Sequence, residues 1–182
     1  MDNKENNNVI NAILTRRTVR SYTSEELTED EINVLLRCAM LSPSARNGQH
    51  CVVRVLTGKE RLDELNTDFK NKVGWDTPAY TRWDVNPVYQ TAPALFFIYA
   101  DSPAYIDAGI MAENLAIAAK GLGLDSCIIG SVGALLADEN ETKWKELLQL
   151  DPGMKFMLSV AVGHGNESPE IKPRKEEEFR KI

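Results

Sequence analysis

Val9, Ile10, Ile13, Leu14 and Arg17 recur at helical spacing, which predicts a helix over residues 9–17 with its arginines gathered at the carboxyl end. A second helix is announced by Thr28-Glu29-Asp30-Glu31, a capping-box sequence, and by the stripe Ile32, Leu35, Leu36, Ala39, Met40 that stops before Pro43. Residues 51–56 read as a strand, and Leu62, Leu65 and Phe69 mark one face of a following helix. Gly74, Pro78, Pro87 and Pro93, interspersed with Trp75, Tyr80, Trp83 and Tyr89, suit a long ordered loop over 71–93 that lines or covers a site. The unbroken apolar run from Ala94 to Ala100 predicts a strand covered on both faces. Ser102 as N-cap with Pro103 in the first turn predicts a helix to about Lys120, apolar nearly all round except at Asp107, Glu113 and Asn114, and hence central and buried. A short strand at 126–129, a helix at 139–148 and a last strand at 155–162 complete the pattern. From Gly163 the chain turns polar and charged, so this tail has no core of its own and drapes over a surface or a partner subunit.

At 182 residues with 43% hydrophobic and 26% charged residues, the chain has the composition of one globular domain and excludes collagenous or disordered classes. A domain of this length builds its core without disulfide or metal. Cys38, Cys51 and Cys127 are odd in number and widely spaced, with no metal-ligand pattern, which points to a reducing compartment. With a polar start at Met1–Asn8 and no long apolar run, the expectation is a cytoplasmic protein without membrane span or metal. A net charge of −6 disfavours nucleic acid and anionic lipid as partners. Any anion must then bind locally.

Arg16-Arg17-Thr18-Val19-Arg20 puts three guanidinium groups and a hydroxyl into five residues of this acidic chain. It reads equally as an anion clamp, through forked hydrogen bonds to a phosphate, or as a basic helix end favoured by the macrodipole. The polar run Ser42-Pro43-Ser44-Ala45-Arg46-Asn47-Gly48-Gln49 reads as a helix stop and turn, or as a loop whose amides meet a flat heteroaromatic ligand. Lys172-Pro173-Arg174 alone is a charged tail. Gly121-Leu122-Gly123 follows a helix and precedes a strand, the reverse of a dinucleotide fingerprint, and fits a helix exit. His50 and His164 lack an adjacent nucleophile or carboxylate motif, and Cys127 fits a small buried hydrophobe better than a reactive thiol.

In order along the chain, these segments resemble the nitroreductase family of FMN-dependent oxidoreductases. Arg16-Arg17-Thr18-Val19-Arg20-Ser21-Tyr22 is similar to the family's R-R-S-x-R-x-F/Y motif, and Pro43-Ser44-Ala45-Arg46-Asn47-Gly48-Gln49 to its P-S-x-x-N-x-Q motif. Asp107-Ala108-Gly109 through Asn114-Leu115 resembles its D-x-G-x-x-x-x-N-L helix, and Lys172-Pro173-Arg174 its carboxyl-terminal K-x-R. The resemblance implies that Arg16, Arg17, Thr18, Arg20, Lys172 and Arg174 hold the FMN phosphate. It further implies that Pro43, Ser44, Ala45, Asn47 and Gln49 meet the flavin ring, and that Cys127, Ile128, Ile129 and Gly130 pass their backbone beside its N5. Two departures stand out. His50-Cys51 replaces the usual proline and tryptophan, and Ile129 stands where some members carry glutamate.

The implied fold is α+β, with a mixed, mainly antiparallel sheet flanked by helices. One domain would span 1–182, with 163–182 as an extension completing the phosphate site and the contact of an interlocked homodimer. The implied activity is hydride transfer from NAD(P)H to flavin N5, then two electrons to a nitroaromatic, quinone or similar small acceptor, with no side chain acting as acid or base. The alternatives are an FMN enzyme of the same fold with different chemistry, such as flavin destruction, dehalogenation or peptide oxidation, and a flavin-binding module without turnover.

Overall fold

The computed structural model describes residues 7–77, 86–138 and 141–181. Its elements in chain order are α1 (Asn8–Thr15), α2 (Glu29–Met40), β1 (Cys51–Thr57), α3 (Lys59–Val73), β2 (Ala94–Ala100), α4 (Tyr105–Gly121), β3 (Asp125–Ile129), α5 (Gly133–Leu136), α6 (Lys143–Leu147) and β4 (Lys155–Gly163). The strands form one sheet in the order β1-β2-β4-β3 with every neighbouring pair antiparallel. Among the described residues, parallel pairing is confined to an isolated bridge between Thr18 and Ser126. The family resemblance implied a mixed, mainly antiparallel sheet, and within this chain the mixture reduces to that bridge.

β2 explains the layering. All seven of its residues are buried, and period-two alternation sends Leu95, Phe97 and Tyr99 to one face and Ala94, Phe96 and Ile98 to the other. On the first face they meet α3, α5 and α6 through Leu62, Leu65, Phe69, Leu135 and Trp144, all buried. On the second they meet α2 and α4 through Leu35, Ala39, Ala108, Met111, Ala112 and Leu115. The 42–49 turn and Arg16 sit against α4 on this second side.

Several boundaries depart from the sequence pattern for local reasons. α1 ends at Thr15, two residues early, with Asn7 capping its start by accepting from the Val9 amide at 2.9 Å. α4 begins at Tyr105, not at Pro103. The Ala104 N–H turns back to the Ser102 carbonyl at 2.8 Å, so Ser102 and Pro103 form a tight turn ahead of the helix. The helix predicted over 139–148 is only Lys143–Leu147. Glu141 accepts from the Trp144 amide at its start, and Gln149 (φ 51°) ends it in the left-handed region. Residues 139 and 140 lie outside the described residues, as do 78–85 of the predicted loop. That loop also starts later than the pattern suggests, because α3 continues through Val73.

The capping box at Thr28 is complete: Thr28 Oγ1 accepts from the Glu31 amide at 3.2 Å and Glu31 Oε2 accepts from the Thr28 amide at 2.7 Å. α4 exits through Gly123, whose φ of +80° lets its own amide reach Lys120 O at 3.1 Å and the Leu124 amide reach Ala119 O at 2.9 Å. This pair of bonds is a Schellman ending, which is what Gly121-Leu122-Gly123 is for. α4 is buried along one face only. Tyr105 and Ile106 stand open, Ile106 with 80% of its surface exposed. Among the described residues no helix is long and apolar enough to cross a membrane, and no group of three or more His, Cys, Asp and Glu could hold a metal ion.

Candidate functional site

Past α1 the chain runs extended, and one residue pins it. Val19 is buried, its amide donates to Ser126 O of β3 at 3.1 Å, and the Tyr22 hydroxyl donates to its carbonyl at 2.8 Å. Burial, reinforced by neighbouring Cys127, Asp125 and Glu167, pushes the Tyr22 hydroxyl far above its ordinary value, so it remains a donor. With Val19 facing inward, alternation leaves Thr18 and Arg20 on the outer side.

The three arginines have different fates. Arg17 Nη1 donates to the carbonyls of Leu14 and Arg16 at 2.9 and 2.6 Å, and so serves the helix end. The Arg20 amide donates to the Glu167 carboxylate, while its side chain is exposed. Arg16 turns to α4, where its Nε lies 3.6 Å from Glu113 Oε1. That distance is an ion-pair contact too long for a hydrogen bond, and Nε is left buried with no acceptor.

The carboxyl-terminal segment runs beside this one. The Thr23 amide donates to His164 O, the Asn166 amide donates to Ser21 O at 2.8 Å, and Tyr22 bridges Gly165. The start of the carboxyl-terminal tail therefore lies beside the end of the arginine segment. Lys172 and Arg174 are exposed beyond this pairing, with Arg174 Nη1 reaching only the Lys172 carbonyl.

The 42–49 turn is hung from α4. Asn114 Nδ2 donates to Ser42 Oγ at 2.9 Å, and the buried Asp107 carboxylate accepts from the Ala45 amide at 3.3 Å. Ser44 Oγ accepts from the Gln49 amide at 3.1 Å and closes the turn. Between these anchors Arg46, Asn47 and Gln49 all adopt positive φ (56°, 57° and 50°). Left-handed backbone at non-glycine residues costs about 1 to 3 kcal/mol each. Surrounding contacts must hold such a turn, and it presents the exposed Asn47 and Gln49 away from the core. Beneath it opens a cleft of about 320 Å³, lined by Met40, Ser42, Pro43, Ser44, Gln49, Cys51, Asp107 and Met111 among others. Burial, with Asp107 and Asp101 nearby, pushes the Cys51 thiol up and keeps it protonated.

At the end of β3, Cys127 and Ile129 point into the core while Ile128 is exposed and Gly130 has open space around its Cα. Burial raises the Cys127 thiol, the behaviour of a small hydrophobe. Only backbone and the Ile128 side chain face outward there.

Asp107, Glu113 and Asn114 organise the site; sequence reading marks all three as exceptions on an apolar helix, and the family resemblance marks Asp107 and Asn114 as motif positions without assigning them a contact. A polar residue inside an apolar stripe was the available signal. Arg16 at Glu113 and Ser42 at Asn114 bring the arginine segment and the turn against neighbouring positions of one helix.

The sequence model of the Nitroreductase family matches residues 13–164. This chain belongs to the nitroreductase family. It is 27% identical over 177 residues to an NADPH-flavin oxidoreductase of Vibrio harveyi, covering 92% of this chain and 70% of the relative. It is 28% identical over 180 residues to an FMN reductase (NADPH) of Bacillus subtilis (strain 168), at the same coverage of 92% and 70%. Among solved structures, a nitroreductase with bound FMN from Desulfitobacterium hafniense DCB-2 superposes with TM-score 0.86 at 23% identity, over 97% of this chain and 98% of that one. An FMN-dependent nitroreductase from Clostridium difficile superposes with TM-score 0.76 at 27% identity, over 96% of each chain. The nitroreductase match begins at Ile13 and so takes in the arginine segment, the hung turn and α4, while it ends at His164, before Lys172 and Arg174.

Proposed function

We propose that this nitroreductase is an FMN-dependent oxidoreductase that draws on NAD(P)H and reduces a nitroaromatic, quinone or similar small acceptor. The relatives named NADPH-flavin oxidoreductase and FMN reductase support this reading, as does the FMN-dependent structural neighbour. The observation that carries it is Arg16 Nε, a buried cationic donor with no acceptor in the chain itself. An unmet buried donor costs about 1 to 3 kcal/mol, and a phosphate oxygen is a strong acceptor for a guanidinium. The donor set fits FMN: Arg16, Thr18, Arg20, Lys172 and Arg174 hold the phosphate, with Arg17 adding its charge while its Nη1 serves the helix end.

When bound, FMN supplies the redox chemistry, accepting hydride from NAD(P)H and passing on two electrons. The chain's own part is position. Pro43, Ser44, Ala45, Asn47 and Gln49 present backbone and amide groups to the ring, held in the left-handed turn by Asp107 and Asn114. The backbone from Cys127 to Gly130 would flank the flavin on the N5 side, where the exposed Ile128 side chain would keep water out. No side chain serves as acid or base.

In this reading the whole chain, 1–182, is one FMN-binding domain, and it works as an interlocked homodimer in the cytoplasm. Support for the dimer comes from Val9, Ile13 and Leu14 on α1, Tyr105 and Ile106 on α4 and Phe179 in the tail, large apolar side chains open to water. Support for the compartment comes from three free thiols.

The test is to release any flavin from the purified protein by heat, identify it by chromatography, and assay NADH and NADPH oxidation with a quinone acceptor. FMN in the supernatant together with acceptor-dependent oxidation is expected. A protein that neither carries FMN nor takes it up on reconstitution overturns the proposal.

A further inference from the structure

One contact on the 42–50 turn lies outside its anchors on α4. His50 Nδ1 is 2.8 Å from Asp101 Oδ1, just past the end of β2. The backbone ties the same two residues, because the Asp101 amide donates to His50 O at 3.3 Å. With Asp101 as acceptor, Nδ1 carries the hydrogen, which orients the ring. That ring lies against Gly48: a Cβ at residue 48 would stand 2.6 Å from His50 Nε2 and 2.8 Å from Cδ2. Gly48 itself has φ −68° and ψ −25°, values open to any residue. The bare Cα at 48 therefore answers the histidine ring first and the Ala45 carbonyl, 3.1 Å from the same Cβ, second, and not its own backbone angles. Asn47 and Gln49, the two amide residues on either side of it, hold positive φ.

We infer that His50 is a positioning residue: clasped by Asp101, its ring closes over Gly48 and holds Asn47 and Gln49 in their left-handed conformation. The functional consequence rests on the proposal that this turn meets the flavin ring. The His50 and Asp101 side chains are 45% and 61% exposed, so the pair is weak on its own account. It acts because it biases a backbone held against its own preference. Losing a contact of this kind shifts an equilibrium by about threefold to tenfold.

The experiment is a two-site cycle on the full-length protein with His50→Ala, Gly48→Ala and the double variant, with His50→Asn as the conservative replacement. Two quantities are read: amide hydrogen exchange of residues 44–50 in the FMN-free protein, and FMN affinity by fluorescence. Each single variant is expected to speed exchange at Asn47 to Gln49 and to weaken FMN by about threefold to tenfold. The double variant should be no worse than Gly48→Ala alone, because that substitution already displaces the ring while it also crowds the Ala45 carbonyl. His50→Asn, whose amide donates to Asp101 as Nδ1 does, should recover part of the protection. Additive losses, or protection unchanged in His50→Ala, overturn the inference. Asn47→Ala separates the two claims. If it leaves FMN affinity unchanged, the reading of the turn as a flavin contact fails, while the exchange data still decide the clasp.

Discussion

Replacing Arg16 with alanine should separate ligand binding from folding. In the folded chain the guanidinium makes one ion-pair contact, at 3.6 Å to Glu113, with the two side chains 26% and 45% exposed. A partly solvated pair at that distance contributes about 0 to 1 kcal/mol. Against it stands the buried Nε with no acceptor, an unfavourable burial of about 1 to 3 kcal/mol that the substitution removes. The FMN-free variant should therefore be as stable as the parent, or more stable. Binding is the opposite case. A charge-assisted hydrogen bond to phosphate is worth about 1.5 to 3 kcal/mol, so FMN affinity should fall about 10- to 150-fold. Glu113→Gln should act in the other direction, tightening FMN a few-fold, because it removes a carboxylate that competes for Arg16. Fluorescence titration gives the affinities and thermal unfolding of the FMN-free proteins gives the stabilities. An Arg16→Ala protein that binds FMN within twofold of the parent, or that is strongly destabilised without ligand, would refute the reasoning.

Other outcomes follow from the same contacts. Thr28→Ala should cost about 1 kcal/mol by removing the α2 cap, read by denaturant unfolding. The backbone hydrogen bond from Thr28, then its side-chain bond, holds the Glu31 carboxyl below its ordinary value. Its contribution is thus complete above the unfolded carboxylate range near about pH 4.3 and is lost as pH falls through the lower folded value, so the Thr28→Ala deficit should shrink in that acid window. Cys127, buried with its thiol pushed up, should resist alkylation at neutral pH until the protein unfolds, which mass spectrometry of labelled peptides would show; prompt labelling in the native state contradicts its place in the core. Asp107→Ala should loosen the 44–49 turn and weaken FMN several-fold, whereas Asp107→Asn, which keeps an acceptor for the Ala45 amide, should do so less. Sedimentation on dilution should show a dimer that does not release a folded monomer; a stable compact monomer would contradict the reading of the open faces on α1 and α4.

Much of the fold was legible because strong local signals coincide with burial. The capping box at Thr28, the doubly covered strand at 94–100 and the helix exit at Gly123 all lie where the pattern puts them. The misses share a cause. Ser102-Pro103 looks like a helix start, but the chain uses the proline in a tight turn first, and α6 is cut short by Gln149, whose left-handed backbone nothing in its residue type announces. For the candidate site, the residue types were visible and their arrangement was not. Local sequence leaves Arg16 and Arg17 alike, and only the structure separates a helix-end arginine from one carrying an unmet donor. Asp107 and Asn114 are polar residues on an apolar helix, and their hold on a turn 62 and 72 residues away in sequence has no local signature.

The central claim is most directly tested by the visible spectrum of the purified protein, recorded without oxygen before and after adding NADH or NADPH. A flavin spectrum that bleaches with at least one nicotinamide is the predicted result. A protein that stays colourless after incubation with FMN, or a bound flavin that neither nicotinamide reduces, would contradict the account.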